Sequence, residues 1–203
     1  MRCDVAIIGA GTAGLAAERA ARSNGASTLL IDPEYRGTTC ATVGCMPSKL
    51  LIAASHAAHA ARSTDMFGIS VAEVSIDGKA VMQRVRDERD RFARLTRDNI
   101  ADIPEGVRLT GRAKFLAPDC LGLDDGRRIE ADSIVIATGS APFVPGEFSG
   151  LGNRLLTNEN VFDLEDLPDR LAVIGAGPIG LELAQAMARL GVEVSLFDRG
   201  DRL

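Results

Sequence analysis

Four cysteines in 203 residues (Cys3, Cys40, Cys45 and Cys120) are too few for a scaffold built on disulfides. Nor do Cys and His gather at metal-ligand spacing around any of them, which argues against a zinc site. The chain opens without a basic segment followed by an apolar one, so no secretory leader is read there. Its longest apolar runs fall well short of a membrane span. A net charge of −5, with acids and bases interleaved, gives no general attraction to nucleic acid or to an anionic membrane. Together these absences point to a cytoplasmic protein. What is present is ordinary for a globular chain: 46% hydrophobic and 25% charged residues, enough for one large domain or two small ones.

The stretch that organises the rest runs from Thr39 through Cys40, Gly44 and Cys45 to Pro47-Ser48-Lys49. Residues five apart in a regular α-helix have Cα atoms roughly 8–9 Å apart, whereas a disulfide needs about 7 Å or less. The pair can close only where the backbone leaves the helix, and Gly44 allows that. The alanine-rich run from Leu50 to Ala61 then reads as a helix carrying the pair. Its N-terminal end favours negative charge on Cys45. A cycling dithiol fits this pattern, and an inert pair is the alternative.

The sequence also repeats itself. Val5-Ala6-Ile7-Ile8 reads as a buried parallel strand, followed by Gly9-x-Gly11-x-x-Gly14, an Ala-rich helix, the turn Asn24-Gly25, and a strand 27–31 ending in Asp32. From Leu171 to Asp198 the pattern returns, with Gly175-x-Gly177-x-x-Gly180. Aligned without gaps, residues 5–32 and 171–198 share 11 of 28 identities, and each acid stands 23 residues after its first glycine. This is the dinucleotide-binding βαβ unit, twice. The first glycine makes the tight turn, the second admits a pyrophosphate to the backbone, and the third lets helix and strand pack closely. The acid meets a ribose hydroxyl.

Between the two units, Met46–Arg62 and Gly78–Ile100 read as helices, the second with Val81, Val85, Phe92 and Leu95 expected on one face. Its arginines alternate with acids and read as a solvated, salt-bridged face. Strands are expected at 107–116, at 120–124 and 127–131 around the Asp125-Gly126 turn, and at Ser133–Ala137. Residues 142–168, rich in Pro and Gly, read as a crossing between domains.

The ordered motifs Gly9-x-Gly11-x-x-Gly14, Thr39-Cys40-x-x-x-Gly44-Cys45-x-Pro47-Ser48-Lys49, Ala137-Thr138-Gly139 and the second glycine fingerprint resemble the pyridine nucleotide–disulfide oxidoreductases, and within them the dihydrolipoamide dehydrogenases. The resemblance implies an α/β fold: a Rossmann-like FAD-binding domain (1–145) with a parallel sheet and a β-meander, an inter-domain crossing (146–168), and the first βαβ unit of an NAD-binding domain (169–203). It implies FAD and NAD as cofactors, a lipoyl-bearing protein or a small disulfide as substrate, and a homodimer when full length. A related reductase for glutathione-like disulfides or mercuric ion, or a non-catalytic nucleotide-binding redox module, are the alternatives.

Residue by residue, the resemblance makes Cys40 the interchange thiol and Cys45 the thiol beside the flavin. Lys49, paired with Glu182, would stabilise the reduced flavin. FAD contacts fall to Gly9, Gly11, Gly14, Asp32, Thr39, Lys49, Ala113, Thr138, Gly139 and Ser140, and NAD contacts to Gly175, Gly177, Gly180 and Asp198. A carboxylate at Asp198 favours NAD, while nearby Arg199 and Arg202 leave NADP as the alternative. His56 and His59 are expected to pack or face solvent, because the family's base comes from further along the chain. The family's dimerisation domain and the remainder of its nicotinamide domain also lie past Leu203, so the chain reads as an N-terminal portion. Three positions depart from the family pattern: Thr38 stands where a glycine is usual, Thr42 where an asparagine is usual, and Asp32 where a glutamate is usual.

Overall fold

The computed structural model describes residues 1–200, in two units: Met1–Thr42 with Phe92–Phe143, and Val43–Arg91 with the described part of Val144–Leu203. In the first, β1 (Arg2–Ile8), α1 (Thr12–Ser23) and β2 (Thr28–Asp32) form the first repeat, followed by a single turn, α2 (Thr39–Thr42). Then come the second half of α4 (Gly78–Ala101), β3 (Arg108–Thr110), β4 (Ala113–Ala117), β5 (Cys120–Leu123) and β6 (Arg128–Ile136). These strands form one six-stranded sheet, ordered β3-β2-β1-β6-β5-β4. β1 runs parallel to β2 and β6, and β2 to β3, while β5 pairs antiparallel with β4 and β6. The fold is α/β and Rossmann-like, with the meander at one edge.

The apolar runs lie where sheet burial requires them. Ala6, Ile7, Leu30 and Ile31 are at most 1% exposed, each large side chain contributing about 1.5–3 kcal/mol. Cys3 and Cys120 are buried in β1 and β5 as small apolar residues. Burial, ahead of the neighbouring Asp4 and Asp132 carboxylates, pushes the Cys3 thiol above its ordinary value.

Three sequence expectations change. The strand expected at 107–116 breaks at Gly111, whose φ of 153° ends β3 and lets the chain re-enter as β4. The expected strands 127–131 and 133–137 are one continuous strand, β6, which pairs with β5 through its first residues and with β1 along most of its length. On α4, Leu95 is 52% exposed, while Met82, Val85, Ala93 and Ile100 are buried. The buried stripe advances through 82, 85, 93 and 100, and Leu95 lies off it.

The second unit contains α3 (Cys45–Arg62), the first half of α4, β7 (Arg170–Ile174), α5 (Pro178–Arg189) and β8 (Glu193–Phe197). β7 and β8 are parallel, completing the second repeat. Its core joins Leu51 and Ala58 of α3, Met82 and Val85 of α4, Val161 and Phe162, Ala186 and Met187 of α5, and Leu190 just past that helix. Arg62 donates to Arg189 O at 2.5 Å, clipping the C-terminal end of α3 to α5. The α4 arginines find acids, Arg89 pairing with Asp90 and Asp163, and Arg91 with Glu88. No helix among the described residues is long and apolar enough to cross a membrane.

Tyr35 holds two strands together. Its φ of 49° makes it the one non-glycine residue of positive φ among the described residues, and its hydroxyl lies within donating distance of Leu30 O on β2 (2.6 Å) and Leu109 O on β3 (3.2 Å). Burial pushes the phenol up to about 12. The unfolded chain ionises it near 10, so its stabilisation is complete below pH 10 and lost as pH rises to about 12. Tyr35→Phe is expected to lower stability by about 1 kcal/mol near neutral pH and to remove this part of the alkaline loss. Denaturant titrations of both proteins at pH 8 and pH 11 read both effects; parallel pH profiles would contradict the assignment.

Candidate functional site: two glycine loops and a cysteine helix

Three motifs of the first unit converge at the carboxyl ends of neighbouring strands. The glycine loop follows β1, Asp32 ends β2, and Thr138-Gly139-Ser140 follow β6, all three of them exposed. Backbone bonds lock the arrangement: Gly9 N–H donates to Ile31 O at 2.7 Å and Ala137 N–H to Ile8 O at 2.8 Å. β1 lies between β2 and β6, and the chain leaves it in opposite directions, which is where ligands of such sheets bind. Ala113 opens β4 just after Gly111, whose N–H donates to Asp32 O at 3.3 Å.

The loop has the shape of an anion cradle. Gly9 adopts φ +103°, and a Cβ on Gly14 would lie 1.8 Å from Gly9 O. Only glycine closes the loop onto the helix there. A Cβ on Gly11 would meet nothing within 4 Å, so the second glycine faces open space at the start of α1, where no side chain caps the helix. The first N–H groups of α1 are thus available to a pyrophosphate. The residues present fit a dinucleotide.

Asp32 does more than the sequence suggested. Its Oδ2 accepts the Ala10 N–H of the glycine loop at 2.9 Å, and its Oδ1 accepts Glu34 N–H at 2.9 Å and Tyr35 N–H at 2.7 Å. A carboxylate offers about four lone-pair directions, so roughly one is left for a ribose hydroxyl. The second repeat copies the device. Asp198 accepts Ala176 N–H at 2.7 Å and Gly200 N–H at 2.8 Å, and these bonds hold its carboxyl below the usual range. Gly175 has φ +104°, a Cβ on Gly180 would lie 2.1 Å from Gly175 O, and Gly177 faces open space. Arg199 follows Asp198, and Arg202 lies outside the described residues.

Gly44, at φ −129° and ψ −121°, separates α2 from α3, so the cysteine pair does not sit on one continuous helix. Cys40 is half-buried on α2, next to exposed Thr39, and Cys45 is the exposed first residue of α3. Pro47 sits in the first turn of α3, where its missing N–H costs nothing. One turn after Cys45, Lys49 Nζ donates to Glu182 Oε1 at 2.7 Å. Both side chains are about half-exposed, so the pair adds at most about 1 kcal/mol to stability. Glu182 lies on α5, the helix that begins at the second glycine loop. His56 and His59 are exposed on α3. Sequence reasoning missed the backbone-holding role of Asp32 and Asp198 and the strand-bridging role of Tyr35. The repeated 22-residue interval between Ala10 and Asp32 and between Ala176 and Asp198 carried that signal.

Residues 3–203 match the pyridine nucleotide-disulphide oxidoreductase family. Over 98% of its length the chain is 34% identical to a dihydrolipoyl dehydrogenase of Chlamydia muridarum, and over 97% it is 37% identical to a mercuric reductase of Streptomyces lividans. It covers 44% and 42% of those proteins, so it spans less than half the length of the curated relatives it matches. An HOCl-induced flavoprotein disulfide reductase of Escherichia coli, solved as a Cu(II) complex, has the same fold: TM-score 0.77, 24% identity, 99% of this chain and 43% of that one. With its two glycine loops, its paired acids and a match along nearly its whole length, the chain belongs to the pyridine nucleotide-disulphide oxidoreductase family, whose members use FAD and NAD(P).

Proposed function

We propose that the chain belongs to an FAD- and NAD-dependent disulfide oxidoreductase of dihydrolipoamide dehydrogenase type, with a Cys40–Cys45 disulfide as its redox centre. The observation that carries this is the Lys49–Glu182 pair. It joins the cysteine helix, one turn past Cys45, to the helix that starts at the second glycine loop. A cation shared by thiol and nucleotide elements adds little stability, so its use is electrostatic. In this reading residues 1–145 form the FAD-binding part, 146–168 the crossing, and 169–203 the start of the NAD-binding part.

In this mechanism FAD would be held by Gly9, Gly11, Gly14, Asp32, Thr39, Lys49, Ala113 and Thr138–Ser140, and NAD by Gly175, Gly177, Gly180 and Asp198. When bound, FAD carries two electrons between the thiol pair and the nicotinamide. The chain's own part is thiol exchange. One sulfur of a lipoyl dithiol attacks Cys40 Sγ, the Cys40–Cys45 bond breaks, and Cys45 leaves as a thiolate. The second lipoyl sulfur then displaces Cys40, the substrate departs as a cyclic disulfide, and the pair retains two electrons. Lys49 favours negative charge near Cys45 and the flavin. Asp198, held charged by two backbone N–H groups, favours a free ribose over a 2′-phosphate. A mercuric-type activity is the second reading, because a mercuric reductase is as similar to this chain as a dihydrolipoyl dehydrogenase. The whole protein is proposed to act as a homodimer.

The visible spectrum of the full-length protein tests the redox centre. On two-electron reduction with NADH it is expected to gain a long-wavelength charge-transfer band, which Cys45→Ser removes while the flavin spectrum remains. A flavin that bleaches without the band would sink the disulfide reading. Turnover with dihydrolipoamide and with mercuric ion separates the two substrates. The cradle has its own test. Gly11→Ala is expected to leave stability within about 0.5 kcal/mol of wild type and to weaken flavin binding at least about tenfold, read by flavin fluorescence. Gly14→Ala is expected to cost about 3 kcal/mol of stability, because its Cβ has no room. Equal flavin affinity in Gly11→Ala would place the pyrophosphate elsewhere.

A further inference from the structure

Cys40 sits in a turn that is too short to hold by itself. α2 has only four residues, Thr39–Thr42, and nucleating a lone helical turn is unfavourable, because several dihedrals are fixed for one or two hydrogen bonds. Threonine hydroxyls brace it on both sides of the cysteine. Thr38 Oγ1 accepts the Ala41 N–H at 3.2 Å, as an N-cap does. Thr42 Oγ1 donates back to Thr38 O at 2.9 Å, and the same carbonyl accepts the Ala41 and Thr42 N–H groups at 3.1 Å each. Ala41, at 5% exposure, fixes the inner side of the turn. Cys40 lies two residues from each threonine. These threonines are also the two positions where the chain departs from the glycine and asparagine of the family pattern.

We infer that Thr38 and Thr42 are positioning residues that hold the Cys40 turn and so set how readily Cys40 closes onto Cys45. The inference rests on the Cys40–Cys45 disulfide proposed above. Ring closure depends on the effective concentration of one thiol at the other, and fraying of the turn dilutes it. The reaction that reports this is exchange with dithiothreitol: its two thiols are oxidised to the cyclic disulfide, the Cys40–Cys45 bond is reduced to two thiols, and two protons pass with the two electrons.

The full-length protein, its Thr38→Ala and Thr42→Val variants, and the hydroxyl-keeping Thr38→Ser and Thr42→Ser variants would be equilibrated in dithiothreitol redox buffers. Thiol trapping and mass measurement then give the oxidised fraction. Loss of either hydroxyl is expected to lower the equilibrium constant for disulfide closure by about three- to tenfold. A tenfold change raises the potential by ~30 mV. The serine variants are expected to stay within about twofold of wild type. A role confined to folding would lower the melting temperature and leave the potential unmoved. If Thr38→Ala does not fold, the Thr42→Val and Thr42→Ser pair decides the matter. Wild-type disulfide with unshifted variants overturns the positioning role alone; a wild-type protein in which Cys40 and Cys45 never join overturns the redox reading and this inference together.

Discussion

The carboxylate of Asp32 ties the first unit together at its working end. One oxygen holds the glycine loop through Ala10 N–H, and the other holds the outgoing chain through Glu34 and Tyr35. The loop that would meet a pyrophosphate and the connector that leads to Cys40 are therefore fixed by the same group. Asp suits this better than Glu, since its shorter side chain folds back onto neighbouring backbone N–H groups. Asp198 repeats the arrangement with Ala176 and Gly200. Loss of the charge at either position would loosen the glycine loop that the carboxylate holds.

Around that latch, steric closeness and electrostatics divide the work. The third glycine of each loop sits against the carbonyl of the first, with no room for a methyl group, while the second glycine faces open space. Close packing thus builds the loop, and the space left in front of it suits the ligand. On the cysteine side the forces are weaker. Cys45 and Lys49 are exposed, and α2 is one turn held by hydroxyls. Short elements of this kind can respond to single hydrogen bonds, whereas the six-stranded sheet, with Ile7 and Leu30 fully buried, cannot shift without losing core contacts.

Much of the fold was legible because it is local. The two repeats, their turn glycines and their terminal acids fall where the sequence period puts them, and strands β1, β2, β7 and β8 match apolar runs bounded by glycine or aspartate. The Lys49–Glu182 ion pair was legible through family motifs. The misread elements depend on partners remote in sequence. β6 is one strand because β1 supplies a parallel neighbour along most of it. Leu95 is exposed because packing on α4 selected a different stripe. Tyr35 acquired its role only when β3 came alongside β2.

The sequence by itself determined the two βαβ units, the glycine loops and the order of the motifs, since these follow from backbone sterics and short-range periodicity. Tertiary structure alone decided that Asp32 and Asp198 hold their loops, that Tyr35 bridges β2 and β3, and that two threonines brace the Cys40 turn. Each of these is a hydrogen bond whose geometry exists only after the backbone has been placed, and a linear pattern carries no distances.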